Sequence, residues 1–333
     1  MANELSAPFF TIGIPNYERP QYLREALQSI LAQSFTDFEV IVSDDCSQAD
    51  IASVISEFAD PRLRWVRQKK NLGAVANFNY VIGQARGRYI VFHQNDDLLH
   101  QDFLLRAYEA FQRHPDAVLY ASCFWTGDIQ QGFHARTDIQ ADKAADILAG
   151  GPFLLDGNLF CARLLVSFPI TFPAIAISAE HWHAVGDYFA DYELGADQIT
   201  LCRVLIGGTL LYDTRIGGIY RAHAAQTSRS SAKKDKKHFH KLTLQQMVSD
   251  LERQQVPWEE LLRSYAQQAT SAELIAMLRE SLIFQADPRL IKLLINVLSQ
   301  RRQLSRASQF IKLAKKIRIR GLIYLLACLL KKK

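Results

Sequence analysis

The stretch Gly87-Arg-Tyr-Ile-Val-Phe-His-Gln-Asn-Asp-Asp97 decides how the rest of the chain is interpreted. Its apolar segment, Tyr89–Phe92, has the length and composition of a buried strand. The polar residues that follow end in two carboxylates, Asp96 and Asp97. Open α/β sheets bind ligands at the edge where their strands end, so we expect this pair at the mouth of a ligand site.

An earlier strand ends in the same way. Phe38–Ser43 is an apolar run that leads directly into Asp44 and Asp45. Two strand ends that deliver acids to one edge favour a bound cation, a hydroxyl-rich ligand, or both. The first predicted strand adds an aromatic ring and a positive charge at the same edge, from Tyr17 and Arg19.

Strands and helices alternate through the first hundred residues. The predicted strands are Phe9–Pro15, Phe38–Ser43, Arg62–Arg67 and Arg88–Phe92, and the predicted helices are Arg19–Gln33, Ala49–Phe58 and Ala74–Ala85. This order requires a mainly parallel sheet with helices on both faces, because parallel strands need crossover connections. Right-handed crossovers then bring the carboxyl ends of the strands to one edge. The predicted fold class is therefore α/β.

The rest of the chain divides into an excursion, a return to the sheet and a helical region. Residues 126–160, rich in glycine, are interpreted as a loop-rich excursion that shapes a second substrate site. Further elements are predicted at Asp102–His114 and Ala179–Val185 and Gln198–Leu205 (helices), and at Ala117–Ser122, Ile175–Ser178 and Thr209–Tyr212 (strands). From about Lys241 the apolar spacing is helical throughout. We therefore predict one domain over residues 1–228 and a helical region over residues 229–333.

Composition indicates a globular protein of the cytosol. The chain has 333 residues, of which 49% are hydrophobic, enough for a sizeable core. Its five cysteines have no metal-ligand or redox spacing, which favours reduced core residues. The N-terminus lacks the positively charged segment of a signal peptide, so we expect a cytoplasmic location.

Charge is distributed unevenly. Residues 288–333 hold 13 Lys or Arg and no acid, whereas residues 1–287 hold 26 basic and 34 acidic side chains. The apolar run Gly321–Leu330 is too short to cross a bilayer, which takes about 20 apolar residues. The basic, partly amphipathic tail favours adsorption to an anionic membrane surface, with an ordinary packing helix or an oligomer contact as the alternative. Nucleic acid is disfavoured as a partner because the body of the chain is acidic.

Two nucleotide-binding motifs are absent. No Gly-x-Gly-x-x-Gly follows the first strand, and the chain contains no Gly-x-x-x-x-Gly-Lys-Ser/Thr. A dinucleotide site of the Rossmann type is therefore disfavoured, and a P-loop is excluded.

Five segments in order carry a resemblance to a known family. They are Ile14-Pro-Asn-Tyr-Glu-Arg-Pro20, Gln33-Ser-Phe-Thr-Asp-Phe-Glu-Val-Ile-Val-Ser-Asp-Asp-Cys-Ser47, Asn71-Leu-Gly73 with Asn77, Ala85-Arg-Gly-Arg-Tyr-Ile90, and Tyr220-Arg-Ala-His223 with Ser228. Over residues 9–228 the chain resembles the inverting glycosyltransferases of family 2, which have the GT-A fold. The resemblance implies a GT-A domain over residues 1–228 that uses a nucleotide-sugar donor.

The resemblance also implies donor-binding residues. Pro15 and Tyr17 would cradle the nucleotide base, and Arg19 lies in the same turn. Asp45 would accept a hydrogen bond from a base N–H, as an acceptor-only carboxylate can. Asn77 would also touch the nucleotide. Two plainer interpretations stay open: Asp44 and Asp45 only cap the turn that follows them, and Asn77 is a surface amide.

The acid motif of the family is Asp-x-Asp, and the aligned triplet here is Gln94-Asn95-Asp96. The resemblance implies that Asp96 and His223 hold Mg²⁺ or Mn²⁺ at the donor diphosphate, that Asn95 reaches the ribose and that Arg221 offsets phosphate charge. The missing first acid puts the metal affinity in doubt. The plainer alternative is that Asp96 caps the helix after it.

Inverting transfer needs a base that removes a proton from the acceptor hydroxyl. The resemblance assigns this role to Asp197, with Asp191, Glu193 and Glu180 as substitutes. The competing interpretation is a plain helix N-cap, which Asp favours. The basic run from Ser228 to Lys241 is either a solvated loop or a lid over the diphosphate.

The predicted function is transfer of a sugar, with inversion, from a nucleotide-sugar donor to a hydroxyl of a glycan or lipid-linked acceptor. The resemblance favours a UDP-sugar, and the family together with the tail points to bacterial surface polysaccharide synthesis at the inner face of the cell membrane. One alternative is a nucleotide-sugar-binding protein without turnover. A nucleotidyltransferase is disfavoured because the Gly-rich, Arg-containing first loop of that class is absent.

Overall fold

The computed structural model describes residues 7–128, 132–136, 152–165, 174–186, 196–223, 232–268 and 288–300, together with Leu274 and Leu278. Within these ranges ten strands form one sheet. They are β1 (Phe10–Asn16), β2 (Phe38–Asp44), β3 (Leu63–Arg67), β4 (Tyr89–Phe92), β5 (Leu98–Leu99), β6 (Leu119–Asp128), β7 (Gly132–Arg136), β8 (Phe153–Asp156), β9 (Ile175–Ser178) and β10 (Thr209–Arg221).

Helices connect and cover these strands. The described helices are α1 (Pro20–Leu31), α2 (Ile51–Ser56), α3 (Ala74–Gly83), α4 (Phe103–Arg113), α5 (Gly157–Leu164), α6 (Ala179–Val185), α7 (Ala196–Leu205), α8 (Ala232–Arg253), α9 (Trp258–Gln268) and α10 (Pro288–Gln300). Helix α1 illustrates how apolar spacing determines burial, because Leu23, Leu27 and Ile30 recur at helical spacing and are fully buried.

The sheet is mainly parallel, as predicted. Its order is β3-β2-β1-β4-β9-β6-β10-β5, with β7 paired to β6 and β8 paired to β10. Strand β9 runs antiparallel between β4 and β6, so β6 and β10 keep the direction of β1 and β4. The carboxyl ends of β1, β2, β4 and β10 therefore lie toward one edge, which we call the ligand edge.

Two apolar cores lie on opposite faces of the sheet. Ile90 and Phe92 of β4 belong to one core, whereas Tyr89 and Val91 belong to the other. This alternation follows from the two-residue period of a strand. The central strands are buried on both faces, which explains why they read as continuous apolar runs.

Strand β10 is longer than the sequence predicts. The prediction ended at Tyr212, but the strand continues to Arg221 through two register shifts against β6. Asp213 is buried at the first shift, where it accepts hydrogen bonds from Tyr120 Oη (2.7 Å) and Arg215 Nη2 (2.8 Å) and pairs with Arg106. These partners compensate the negative charge of Asp213. In the sequence, that charge suggested that the strand ends at Tyr212. Strand β5 pairs with the continuation and was also not predicted.

The predicted excursion over residues 126–160 contains regular structure. Strand β6 runs to Asp128, β7 folds back on it, and β8 pairs with β10 before α5 begins. Pairing of these short segments depends on distant strands, which local spacing does not reveal. Residues 137–151 lie outside the described ranges, so the predicted second substrate site there stays a prediction.

The helices of the C-terminal region pack on the sheet domain. Met247, Leu251, Leu262 and Leu294 share one apolar core with α7 residues such as Leu201. The helical character predicted after Lys241 is confirmed for α8, α9 and α10. Helix α8 already begins at Ala232, so the basic run that was predicted to be a loop or a lid is helical from that residue onward. The predicted boundary at residues 228 and 229 and the basic tail lie outside the described residues. No helix in the described part of the chain is both long and apolar enough to span a bilayer.

Candidate active site

The ligand edge begins with a row of buried polar side chains. Asn16 ends β1 beside Asp44 at the end of β2. Asn95 Nδ2 donates to Asn16 Oδ1 (2.7 Å), and Asn16 Nδ2 donates to Asp44 Oδ1 (3.1 Å). Ser47 Oγ donates to the same Asp44 oxygen. This row ties the ends of β1, β2 and β4 together and fixes the backbone from which the outer residues project.

The turn after β1 has an uncommon backbone conformation. Glu18 and Arg19 both have left-handed backbone angles, with φ of 57° and 62°. Such angles are rare outside glycine and persist where surrounding contacts enforce them. Here the Glu18 carboxylate accepts the backbone N–H groups of Gln48 (2.7 Å) and Ala49 (3.0 Å), while Ser47 Oγ accepts the N–H of Glu18. The turn is therefore braced by the loop after β2.

This turn positions the three predicted donor-binding residues nearest β1. Pro15 is half-buried within the strand. Tyr17 is 51% exposed, which leaves its ring face open to a planar ligand. The Arg19 side chain points back toward the sheet and forms an ion pair with Asp96.

Asp96 is the centre of the site. Its Oδ2 accepts a hydrogen bond from Arg19 Nη1 at 2.6 Å. His223 Nε2 lies 2.9 Å from the same oxygen. The Asp96 side chain is 6% exposed, so both contacts are largely shielded from solvent. The structure thus brings together Asp96 and His223, which are 127 residues apart in sequence, as the metal prediction required.

Arg221 fastens the end of β10 to this cluster. Its Nε donates to the backbone carbonyl of Asp96, and its Nη1 pairs with Glu25. The guanidinium also lies over the ring of Tyr22, 4.7 Å from the centroid. Tyr22 stacks on His223 at 4.7 Å and 21° as well, so one aromatic ring orients two site residues.

These contacts give Arg221 an internal role that the sequence did not predict. Its charge is shared among Glu25 and backbone carbonyls rather than held free for phosphate. Glu25 and Tyr22 lie on α1 three residues apart and therefore on one helix face. That spacing was the signal that could have identified them beside Arg19.

Two buried polar atoms at the site, Asp97 Oδ2 and His93 Nε2, have no hydrogen-bond partner among the described residues. Asp97 Oδ1 accepts the backbone N–H of Arg221 (3.0 Å). Burial and the adjacent charge of Asp96 hold the pKa of Asp97 well above its usual range. Burial lowers the pKa of His93 to about 4. Asp97 is therefore disfavoured as a second anionic ligand, and His93 is neutral at pH 7.

Two predicted donor-binding residues have internal partners. Both oxygens of Asp45 accept backbone N–H groups, from Leu72 (2.6 Å) and Gly73 (3.0 Å). Asn77 is buried, not on the surface, and its amide exchanges hydrogen bonds with Ser43. Asp45 thus secures the approach to α3 and does not cap the turn that directly follows it. Their contacts to a nucleotide stay predictions.

Asp197 lies in the first turn of α7, and its Oδ1 accepts the N–H of Gln198 at 2.9 Å. Burial raises the pKa of this carboxyl. Among the described residues, no hydrogen bond or ion pair links Asp197 to Asp96. Of its predicted substitutes, Asp191 and Glu193 lie outside the described residues. Glu180 is exposed at the start of α6, at the opposite edge of the sheet from Asp96.

The site can be tested for its fit to a divalent cation. A carboxylate oxygen and an imidazole nitrogen converge at Asp96 and His223, and both types of atom ligate Mn²⁺. In the part of the chain that is described, no group of three or more His, Cys, Asp and Glu is placed to hold a metal ion. The residues therefore fit an ion that takes two protein ligands and completes its shell from a diphosphate and water.

Comparison with known proteins defines the class. Residues 11–159 match the family model of Glycosyl transferase family 2. Residues 1–349 of S. aureus TarS in complex with UDP-GlcNAc superpose with a TM-score of 0.57 at 16% identity, covering 88% of this chain and 91% of that chain. The family model over residues 11–159 and this structural likeness confirm the predicted resemblance to family 2 glycosyltransferases and the predicted α/β fold class of the GT-A type.

Two further similarities are relevant to the donor and the biological setting. Mannosyltransferase PcManGT from Pyrobaculum calidifontis, in complex with GDP-Man and Mn²⁺, has a TM-score of 0.50 at 15% identity, covering 96% of this chain and 84% of that chain. The succinoglycan biosynthesis protein ExoO of Rhizobium meliloti is 34% identical over 102 residues, 31% of this chain and 29% of that protein. Alignments span half or less of the length of this and other curated relatives.

Proposed function

We propose that this chain transfers a sugar, with inversion, from a nucleotide-sugar donor to a hydroxyl of a glycan or lipid-linked acceptor. One observation carries the proposal. Within the segment that matches the family 2 model, Asp96 places a buried carboxylate oxygen at the ligand edge, and Arg19 and His223 both contact that oxygen. A cluster of this kind suits a diphosphate, because it offers the guanidinium of Arg19 and a metal-binding carboxylate together.

The donor would lie along the ends of β1, β2 and β4. Tyr17 offers an exposed ring face to the nucleotide base, and Arg19 offers a guanidinium to the diphosphate. Structural neighbours bind UDP-GlcNAc and GDP-Man, which supports a nucleotide sugar as donor class. We favour a UDP-sugar on the family resemblance.

Asp96 and His223 would hold a Mg²⁺ or Mn²⁺ ion. When bound, such an ion supplies positive charge that stabilises the departing nucleoside diphosphate. Arg19 is the residue of the chain that would share this task, since its guanidinium already lies at the ligand oxygen.

Asp197 would act as the general base. The acceptor oxygen forms a bond to the anomeric carbon while the bond from that carbon to the diphosphate oxygen breaks. The acceptor proton passes to the Asp197 carboxylate, which must be ionised beforehand. Two features support this role: the raised pKa brings the carboxyl closer to neutrality, and α7 leads through residues 206–208 into the start of β10, so its first turn points back toward the ligand edge.

The setting is proposed from the relatives and the charge of the tail. A succinoglycan biosynthesis protein among the relatives favours polysaccharide synthesis. The basic residues after Asp287 favour peripheral binding to the anionic inner face of a membrane, where a lipid-linked acceptor would lie. Co-sedimentation with anionic vesicles tests this: a variant without residues 306–333 should remain in solution, and undiminished binding would refute the membrane role.

The base assignment is tested with Asp197→Asn. We expect unchanged donor affinity by calorimetry and a loss of transfer of about 10²-fold or more, the range for general bases. Glu180→Gln is the matched control, because it removes an exposed carboxylate at the opposite edge, and it should keep the wild-type rate. Wild-type turnover by Asp197→Asn would end the assignment. Donor binding without transfer or hydrolysis in the unaltered chain, across many acceptors, would favour the binding-only alternative.

A further inference from the structure

The contact between Arg19 and Asp96 has a direct consequence for cation binding. Arg19 Nη1 and His223 Nε2 both address Oδ2 of Asp96, at 2.6 Å and 2.9 Å. That oxygen is also the atom that, with the imidazole nitrogen, would ligate a divalent cation. A guanidinium and a divalent cation repel each other at such distances, so each weakens binding of the other at this oxygen.

The side chains of Asp96, His223 and Arg19 differ in how firmly the surrounding protein holds them. The backbone carbonyl of Asp96 is bound by Arg221, and the imidazole of His223 is stacked on Tyr22. Their side chains are 6% and 12% exposed. The side chain of Arg19 is 22% exposed and reaches the cluster from the braced turn after β1. Arg19 is therefore the partner that can leave toward solvent while the other two stay in place.

We propose that Arg19 is the resident counter-ion of Asp96, which it leaves when a divalent cation binds there. The donor diphosphate gives the guanidinium a new anionic partner, since arginine pairs with phosphate as well as with carboxylate. Arg19 thereby couples the two binding events: the nucleotide draws the guanidinium off Asp96, and the vacated oxygen takes the metal. This inference rests on the proposed function for the identity of the diphosphate.

The coupling has a consequence that needs no turnover to observe. In the absence of nucleotide, Arg19 competes with Mn²⁺, so the affinity of the chain for Mn²⁺ alone should be weak. Removing the charge of Arg19 should strengthen it. A residue that only bound the diphosphate would leave the affinity for Mn²⁺ alone unchanged.

The test is a titration of Mn²⁺ alone, followed by electron paramagnetic resonance of the free ion. For Arg19→Gln we expect an affinity about tenfold or more above that of the unaltered chain, because a unit positive charge has been removed from the ligand oxygen. Arg19→Lys, which keeps the charge, should stay near the unaltered chain. Arg24→Gln is the control, since Arg24 lies nearby on α1 but pairs with Glu57.

The outcomes separate the inference from its alternatives. Equal or weaker Mn²⁺ affinity in Arg19→Gln would overturn it, as would an equal gain in Arg19→Lys or the absence of Mn²⁺ binding in every variant. Should Arg19→Gln fail to fold, Arg19→Met retains the apolar stem without the charge. Because no transfer is measured, a gain in Mn²⁺ affinity would support the inference even if the chain proved to lack transferase activity.

Discussion

The chemistry of the candidate site depends on one oxygen atom, Oδ2 of Asp96. It lies at the end of a strand whose apolar run delivers it to the ligand edge, and it is held among Arg19 and His223. Burial shifts the pKa values of two residues beside it, His93 and Asp97. His93 is neutral because burial disfavours its cation, and Asp97 tends toward its neutral form for the same reason.

His93 predicts how stability depends on pH. Its folded pKa of about 4 lies below the unfolded value of 6.5, so the unfolded chain takes up the proton first as the pH falls. Its contribution is therefore complete above the unfolded pKa and is lost as the pH falls from about 6.5 toward 4.

Comparison with His93→Leu isolates this effect. Between pH 7 and pH 5, the unaltered chain should lose about 2 kcal/mol more free energy of unfolding than the variant, by urea denaturation. Equal pH dependence of the two proteins would show that His93 titrates normally in the folded state.

At this scale the sequence predicted that Asp96 and His223 would lie together, because both follow strands that end at one edge, and the structure places them 2.9 Å apart; their role as metal ligands stays a prediction. It did not predict that Asp45, Asn77 and Arg221 have their polar groups engaged by the protein itself. Those partners come from distant segments, and a motif carries no information about them. Helical periodicity was the one available signal, because it puts Tyr22 and Glu25 of α1 on one face.

At the scale of elements, β10 and α1 build the site together. Strand β10 carries Arg221 at its end, and His223 follows two residues later, whereas α1 supplies the ring that orients both. The strand reaches this point only because the buried Asp213 is neutralised where the register shifts. Alternation and apolar runs predicted the central strands, but a charged break hid this continuation.

Asp213→Ala should destabilise the fold strongly. The substitution leaves Arg106, 8% exposed, without its buried counter-ion, which costs about 3–5 kcal/mol in comparable cases. Glu57→Ala removes the partner of Arg24 from an exposed pair and should cost far less, because solvent screens exposed ion pairs. Similar losses for both variants in urea denaturation would contradict the importance of the Asp213 cluster.

At the scale of the molecule, the C-terminal helices and the sheet share one core. Met247 and Leu251 of α8 and Leu262 of α9 are buried in the cluster that includes Leu201 and Val204 of α7. The composition change near residue 230 predicted a separate region, and helical spacing predicted its type. It could not show packing against α5 and α7, because that depends on which faces meet after folding.

A fragment of residues 1–228 should therefore fail to unfold cooperatively. Losing α8 and α9 exposes the apolar face of α7, and exposed patches of this kind cause aggregation. A fragment of residues 1–305, which keeps every described element, is the control and should show one thermal transition. A cooperative transition of the shorter fragment, followed by circular dichroism, would show that the predicted domain over residues 1–228 folds alone.

The role of Asp96 is tested most directly by measuring UDP affinity. UDP is titrated calorimetrically into the unaltered chain and into Asp96→Asn, with Mn²⁺ and with a chelator. We predict binding to the unaltered chain that weakens by about tenfold or more when Mn²⁺ is removed, and no Mn²⁺ dependence in Asp96→Asn, since the amide lacks the charge that attracts a divalent cation. Equal UDP binding by both proteins under both conditions would contradict the claim that Asp96 forms the centre of a nucleotide diphosphate site.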